Sequence, residues 1–155
     1  MVTFSRAGLL SVKFLGYSYT EGAAHPNSFF YTINIDMENQ SLIKLEDLVK
    51  IDEDFAHVFR KGTYLSEYGE ISPEWKQGLD DALNETDDAG WVKNLKGSDA
   101  AADENIYGIY SYFTDHSLVI SVSVPHVLGD YVEISLDDKD LAPYKTEHIL
   151  WDAVE

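Results

Sequence analysis

The residues best suited to acid–base chemistry or metal binding are five histidines, at positions 25, 57, 116, 126 and 148. None of them forms the His-Glu-x-x-His spacing of a zinc hydrolase helix. His57 lies on a predicted helix and His116 in a predicted hairpin turn, so we expect both to be exposed. His25 is the exception, because it precedes Pro26 in a constrained loop. Two roles stay open for it: a hydrogen bond that orders the loop, or service as a general base or ligand.

The chain lacks the short motifs of the common catalytic sites. It contains no Gly-x-Ser-x-Gly turn, no glycine loop for phosphate and no dinucleotide fingerprint, and the absence of cysteine excludes a thiol nucleophile. Adjacent acidic residues are frequent, but neighbouring side chains on a helix or strand point apart, so such a pair does not by itself share a proton or a substrate. Asp36-x-Glu38-Asn39 lacks the glycine and the distal glutamate of an EF-hand loop. We therefore predict no catalytic residue, no metal site and no cofactor.

Aromatic residues are a stronger signal, with ten Tyr, seven Phe and three Trp. Many of them lie on predicted strands, where a ring offers a large contact area to a sugar or a protein at a small entropic cost. Most should fill the core, and one or two should be exposed. The predicted binding residues are Tyr17, Tyr19, His25, Phe30 and Tyr112.

The elements that would position these residues follow from periodicity and turn signals. Alternating apolar residues predict strands over 9–19, 29–37, 106–113, 118–124 and 131–136, and the first two form a hairpin around the loop 20–28. A capping Asp52 begins one helix, which ends near Gly62, and Ser72-Pro73-Glu74 begins another. Residues 84–105 are expected to form a mobile connection pinned at Trp91. The prediction is a single α+β domain over 1–155, with a mostly antiparallel sheet of about five strands and two or three helices inserted between strands 2 and 3.

Charge limits the classes of partner. The formal net charge is -17, with 28 acidic against 11 basic residues, which disfavours nucleic acid and anionic membranes. Residues 66–105 carry 11 acids and 3 bases, and residues 130–155 carry 8 and 2. These segments would steer a cationic partner, although an acidic surface also serves solubility alone. We expect neither a membrane-spanning segment nor a signal peptide in this chain.

Several short motifs, in order along nearly the whole chain, resemble one known domain. They are Leu9-Leu10-Ser11-Val12, Gly22-Ala23-Ala24-His25-Pro26, Asn34-Ile35-Asp36, and Phe113-Thr114-Asp115-His116. This arrangement is similar to the extracytoplasmic C-terminal domain of RsiV-type anti-sigma factors, a family that also accompanies some peptidoglycan deacetylases of Gram-positive bacteria.

The resemblance implies a non-catalytic binding or sensing module in the bacterial cell envelope, outside the cytoplasm. Its expected partner is a cationic protein such as lysozyme, or a cell-wall glycan. The sequence leaves the oligomeric state open. Two alternatives remain: a metal-assisted hydrolase of cell-wall glycans with His25 and Asp36 as ligands, and a structural spacer domain.

Overall fold

The structure, a computed structural model, describes residues 1–22, 24–66, 69–100, 108–148 and 151. In this part of the chain, strands and helices form an α+β fold with two antiparallel sheets of four strands each. The first sheet has the order β1-β2-β3-β4 and the second the order β5-β8-β7-β6. The α+β class is therefore confirmed, whereas the single sheet of about five strands is wrong.

The first sheet is an antiparallel meander. Its strands are β1 (Val2–Arg6), β2 (Leu9–Ser18), β3 (Asn27–Asp36) and β4 (Ser41–Ile43). The pairing of β2 with β3 runs without interruption from Leu9 opposite Asp36 to Ser18 opposite Asn27. The predicted long hairpin is thus confirmed, and its loop contains His25.

The second sheet is built mainly from the C-terminal part of the chain. Its strands are β5 (Thr63–Leu65), β6 (Tyr110–Phe113), β7 (Ser117–Ser123) and β8 (Tyr131–Asp137). The turn between β6 and β7 is closed by the Thr114 amide, which donates to the Ser117 carbonyl at 2.9 Å, with Asp115-His116 at its centre as predicted. Ile106 and Tyr107, the predicted start of this strand, lie outside the described residues.

Five helices are described: α1 (Leu45–Leu48), α2 (Glu53–Arg60), α3 (Pro73–Asn84), α4 (Asp88–Lys96) and α5 (Asp138–Leu141). The predicted caps are confirmed, because Asp52 accepts from the Phe55 amide at 3.0 Å and Ser72 accepts from the Trp75 amide at 3.2 Å. Helices α1 to α4 lie between β4 and β6, with β5 between α2 and α3. They do not follow the second strand directly, because β4 intervenes.

Helix α4 occupies residues 88–96 of the stretch 84–105, for which a mobile connection was predicted. Asp87 caps it by accepting from the Gly90 amide at 2.8 Å. Trp91 and Leu95, four residues apart, are both buried, so one apolar stripe fixes the helix on the core. Residues 101–105 of the predicted connection lie outside the described residues.

The second sheet is covered on both faces. Leu118, Ile120 and Ile134 share a buried cluster with helical residues such as Phe55 and Phe59. Side chains at the alternate positions of these strands point to the opposite face of the sheet, where Val119 and Tyr112 pack with Phe30 of the first sheet. The first sheet is covered on one face only, which determines where side chains are accessible.

Candidate functional site

The end of the first hairpin extends beyond the second sheet. Along β2, Leu9, Ser11 and Lys13 share one face and are buried, but Leu15 and Tyr17 on the same face are exposed. Tyr17 is 81% exposed, and Tyr19, just after the strand, is 63% exposed. Two of the predicted binding residues therefore present their rings to solvent at one end of the molecule.

The loop beside these tyrosines is held by a histidine contact, which we call the histidine clasp (His25, His126, Asp130 and Ser28). The rings of His25 and His126 are stacked, with centroids 3.4 Å apart and planes inclined by 7°. His126 follows β7 in a single turn of 3-10 helix, His126–Leu128. The clasp thus joins the loop of the first sheet to the connection between β7 and β8.

Asp130 fixes both sides of the clasp. One carboxylate oxygen is 2.7 Å from Nδ1 of His126, and the other accepts from the backbone amide of Ser28 at 2.8 Å. Burial acts to raise the pKa of Asp130, but the Ser28 amide and the His126 ring outweigh it and lower the pKa. This arrangement supports the loop-ordering role of His25, achieved by ring stacking and not by the hydrogen bond we expected. His126 and Asp130 were not among the predicted binding residues, although their spacing of four residues around Gly129 was an available signal.

A small cleft adjoins the clasp. Its volume is 280 Å³, and its lining includes Ser28, Trp75, Leu128 and Tyr131. Trp75 and Tyr131 are both partly exposed. A cleft of this size with two aromatic walls is suited to one sugar ring or one partner side chain.

Phe30 and Tyr112 are not part of this surface. They are 6% and 3% exposed and enclose the ammonium group of Lys13, which lies 5.7 Å and 5.4 Å from their ring centroids. Lys13 pairs with the carboxylate of Glu133, which also accepts from the Tyr112 hydroxyl. The expectation that Phe30 and Tyr112 contact a partner is corrected, because both belong to the layer between the two sheets.

The metal-site alternative is corrected by the hairpin register. His25 lies in the loop and Asp36 at the far end of the ten-residue strand β3, so about 30 Å of extended chain separates them. Asp36 instead accepts from the Asn39 amide at 2.9 Å, the Asn39 side chain at 2.7 Å and the Glu38 amide at 3.0 Å, and these bonds lower its pKa. Within the described ranges, no group of three His, Cys, Asp or Glu side chains could hold a metal ion.

A larger cleft of 730 Å³ lies between α2, β5 and α3. Its polar side chains contact one another: Asp80 accepts from the Tyr64 hydroxyl at 2.8 Å and from Lys76 at 2.7 Å. Burial, together with the Asp80 carboxylate, raises the pKa of Tyr64, so the phenol stays protonated at neutral pH.

No family model matches the chain, and no curated protein matches it either. Among the described residues, no helix combines the length and the apolar character that crossing a membrane requires.

Proposed function

We propose that this protein is a non-catalytic binding module that acts outside the cytoplasm of a bacterium and recognises a cationic protein such as lysozyme or a cell-wall glycan. The observation that carries the proposal is the exposure of Tyr17 and Tyr19 beside a loop that the histidine clasp holds in place. Exposed aromatic rings on a fixed support are the usual anchors of protein and sugar recognition.

The charge of the chain supports a cationic partner. A net charge of -17 accelerates encounter with a positively charged protein and repels polyanions. The two acidic segments lie outside the first sheet, so they guide the approach while the tyrosines make the short-range contact. The likeness of the loop motif to the RsiV-type domain supports the same class of partner.

The first experiment measures binding of hen-type lysozyme and of soluble peptidoglycan fragments by calorimetry, at salt concentrations from about 20 to 150 mM. We expect binding to lysozyme to weaken as salt rises, because exposed charges are screened over about 8–10 Å. Affinity for lysozyme that is independent of salt would contradict the electrostatic part of the proposal. Absence of binding to both probes at high micromolar concentration would overturn the proposal as a whole.

A second experiment tests the tyrosines. The double variant Tyr17→Ser/Tyr19→Ser should weaken binding at least about tenfold, since anchoring aromatic residues dominate interface energies. Met37→Ser is the matched control, because Met37 is an exposed apolar residue at the opposite end of the hairpin. An equal loss of affinity in the double tyrosine variant and in Met37→Ser would show that the tyrosines do not form the contact.

A further inference from the structure

The exposed side of the first sheet, here called the outer face, is largely apolar and carries no charged side chain. In the pairing of β2 with β3, residues on this side stand opposite each other as Leu10–Ile35, Val12–Ile33 and Phe14–Tyr31. The apolar residues of the outer face are Val2, Leu10, Val12, Phe14, Phe29, Tyr31, Ile33, Ile35 and Leu42, and the uncharged residues Ser5, Gly16, Ser18 and Asn27 complete it. Six of these side chains are exposed: Val2, Phe14, Phe29, Tyr31, Ile33 and Leu42. The ring of Tyr31 also contacts Tyr110 of β6, at a centroid distance of 5.3 Å.

The four strands of the first sheet contain three charged residues, Arg6, Lys13 and Asp36, and none of them lies on the outer face. Lys13 and Asp36 are buried on the opposite side. Arg6 stands opposite Leu9, an inner-side position, and reaches Asp115 of the second sheet's hairpin turn at 3.2 Å. In a chain with a net charge of -17, a whole sheet face without charge is unusual, because apolar patches on isolated proteins are normally small and interrupted.

We propose that the outer face is the interface of a homodimer, in which two copies of this chain pack their first sheets face to face. The six exposed side chains are 39–68% exposed and together offer about 600 Å² of largely apolar area, somewhat below the roughly 800 Å² per protomer that a standard interface buries. This area lies at the upper end of the patches found on monomers, which reach about 300–600 Å².

The absence of charge on the outer face favours a second copy of this chain as the partner that covers it. A cationic protein would be held by acidic side chains on the contact surface, and an anionic membrane would require Lys or Arg around it. The outer face has neither, and the surface that matches it is another uncharged apolar sheet. Two sheets packed face to face bury their side chains as the halves of a β-sandwich do, and homodimer interfaces are the most apolar class.

The dimer is independent of the proposed function, because it uses the other side of β2. Tyr17 occupies an inner-side position of the strand, so sheet-to-sheet packing of two copies leaves it accessible. The two associations also respond to salt in opposite directions. Rising salt should weaken lysozyme binding but strengthen the dimer, because it screens the repulsion between two copies of charge -17.

Sedimentation velocity on the full chain, from about 1 to 200 μM and at about 50 and 500 mM salt, tests the dimer, with stronger association expected at the higher salt. Ile33→Asp places a charge at the centre of the outer face on both copies, and should raise the dissociation constant at least about a hundredfold. The matched control is Leu65→Asp on the edge strand β5, because Leu65 is 38% exposed and Ile33 40%. The control should dimerise like the wild type.

Circular dichroism and thermal melting confirm that each variant is folded before sedimentation is interpreted. A wild-type protein that stays monomeric over the whole range would overturn the proposal, including the case in which it binds detergent micelles instead. Dissociation of Ile33→Asp and Leu65→Asp to the same extent would also overturn it, because the loss would then not be specific to the outer face.

Discussion

Lys13→Met is expected to be one of the most destabilising single changes in the molecule. The ammonium group of Lys13, on β2, lies 3.2 Å and 3.1 Å from the two carboxylate oxygens of Glu133, on β8. Both side chains are only 7% exposed, so the pair joins the two sheets inside the protein. The variant keeps most of the apolar stem of the lysine but leaves the Glu133 carboxylate buried without its counter-charge.

The expected cost follows from the environment of the pair. Removing one partner of a buried ion pair costs about 3–5 kcal/mol, since the remaining charge stays desolvated. The Tyr112 hydroxyl still donates to Glu133 and offsets part of this loss, so we expect Lys13→Met to lower the free energy of unfolding by about 3 kcal/mol. Glu133→Gln should cost less, about 1–2 kcal/mol, because the ammonium group of Lys13 keeps its cation–π contacts with the rings of Phe30 and Tyr112.

Urea unfolding, followed by tryptophan fluorescence, measures these differences. The double variant Lys13→Met/Glu133→Leu replaces the pair by apolar side chains and should lose at least about 2 kcal/mol less than the sum of Lys13→Met and Glu133→Leu. A cost below about 1 kcal/mol for Lys13→Met would refute the reasoning. Strict additivity in the double variant would refute it as well.

Three further predictions concern other parts of the fold. Burial raises the pKa of Asp99 to about 6, so the stability that this group contributes is fully present below its unfolded pKa of 3.8 and is lost as pH rises through about 6. Asp99→Asn should remove this part of the pH dependence of urea unfolding. Wild-type and variant curves of unfolding free energy against pH that run parallel would contradict the prediction. Gly62→Ala would place a methyl group 2.5 Å from Cγ2 of Ile134 and should cost about 1–3 kcal/mol in thermal unfolding, whereas the control Gly16→Ala meets nothing within 4 Å and should cost less. His126→Ala should speed amide exchange in the 20–26 loop while changing global stability by less than about 1 kcal/mol, and unchanged exchange there would show that the clasp does not hold the loop.

Local signals predicted the parts of the fold that depend on neighbouring residues. The caps at Asp52 and Ser72 satisfy amides three residues away, so they can be recognised in a short window. The first hairpin was also predictable, because ten consecutive pairs alternate between two faces. The start of α4 carried a similar signal at Asp87, but Gly90 and the acidic composition around it concealed the helix.

Pairings between distant residues could not be read in the same way. Strand β5 has only three residues, and its Tyr64 pairs with Ile134, seventy positions later. Such a strand has too few residues to show a period, and its partner is chosen by the tertiary fold. The second sheet was therefore not separated from the first in the sequence prediction.

The same limit applies to the candidate site. Tyr17 and Phe30 both lie on strands of one hairpin, yet Tyr17 is exposed and Phe30 is buried. The difference depends on where the second sheet ends above the hairpin, which no pattern within β2 or β3 records. The stacking of His25 on His126 likewise joins residues that are 101 positions apart.

The first sheet has an unusual orientation, because its polar side faces the protein interior. Asn34 donates to the Ser111 carbonyl at 2.9 Å and accepts from the Ser11 hydroxyl at 2.6 Å, and Thr32 donates to the same carbonyl at 2.5 Å. A shift of one residue would turn every side chain of the strand over and break this network. The polar contacts therefore fix which side faces inward, and the apolar residues are left on the outer face.

A dimer formed through the outer face would carry two copies of the proposed binding surface at Tyr17 and Tyr19. Each copy keeps its own Tyr17 and Tyr19, so a polymeric ligand can be held at two points and bound more tightly than a single site allows. Ile33→Asp should then weaken binding to intact peptidoglycan about tenfold or more while leaving the affinity for monomeric lysozyme unchanged. Equal effects on both ligands would mean that the outer face belongs to the recognition surface itself, and the two proposed surfaces would have to be merged into one.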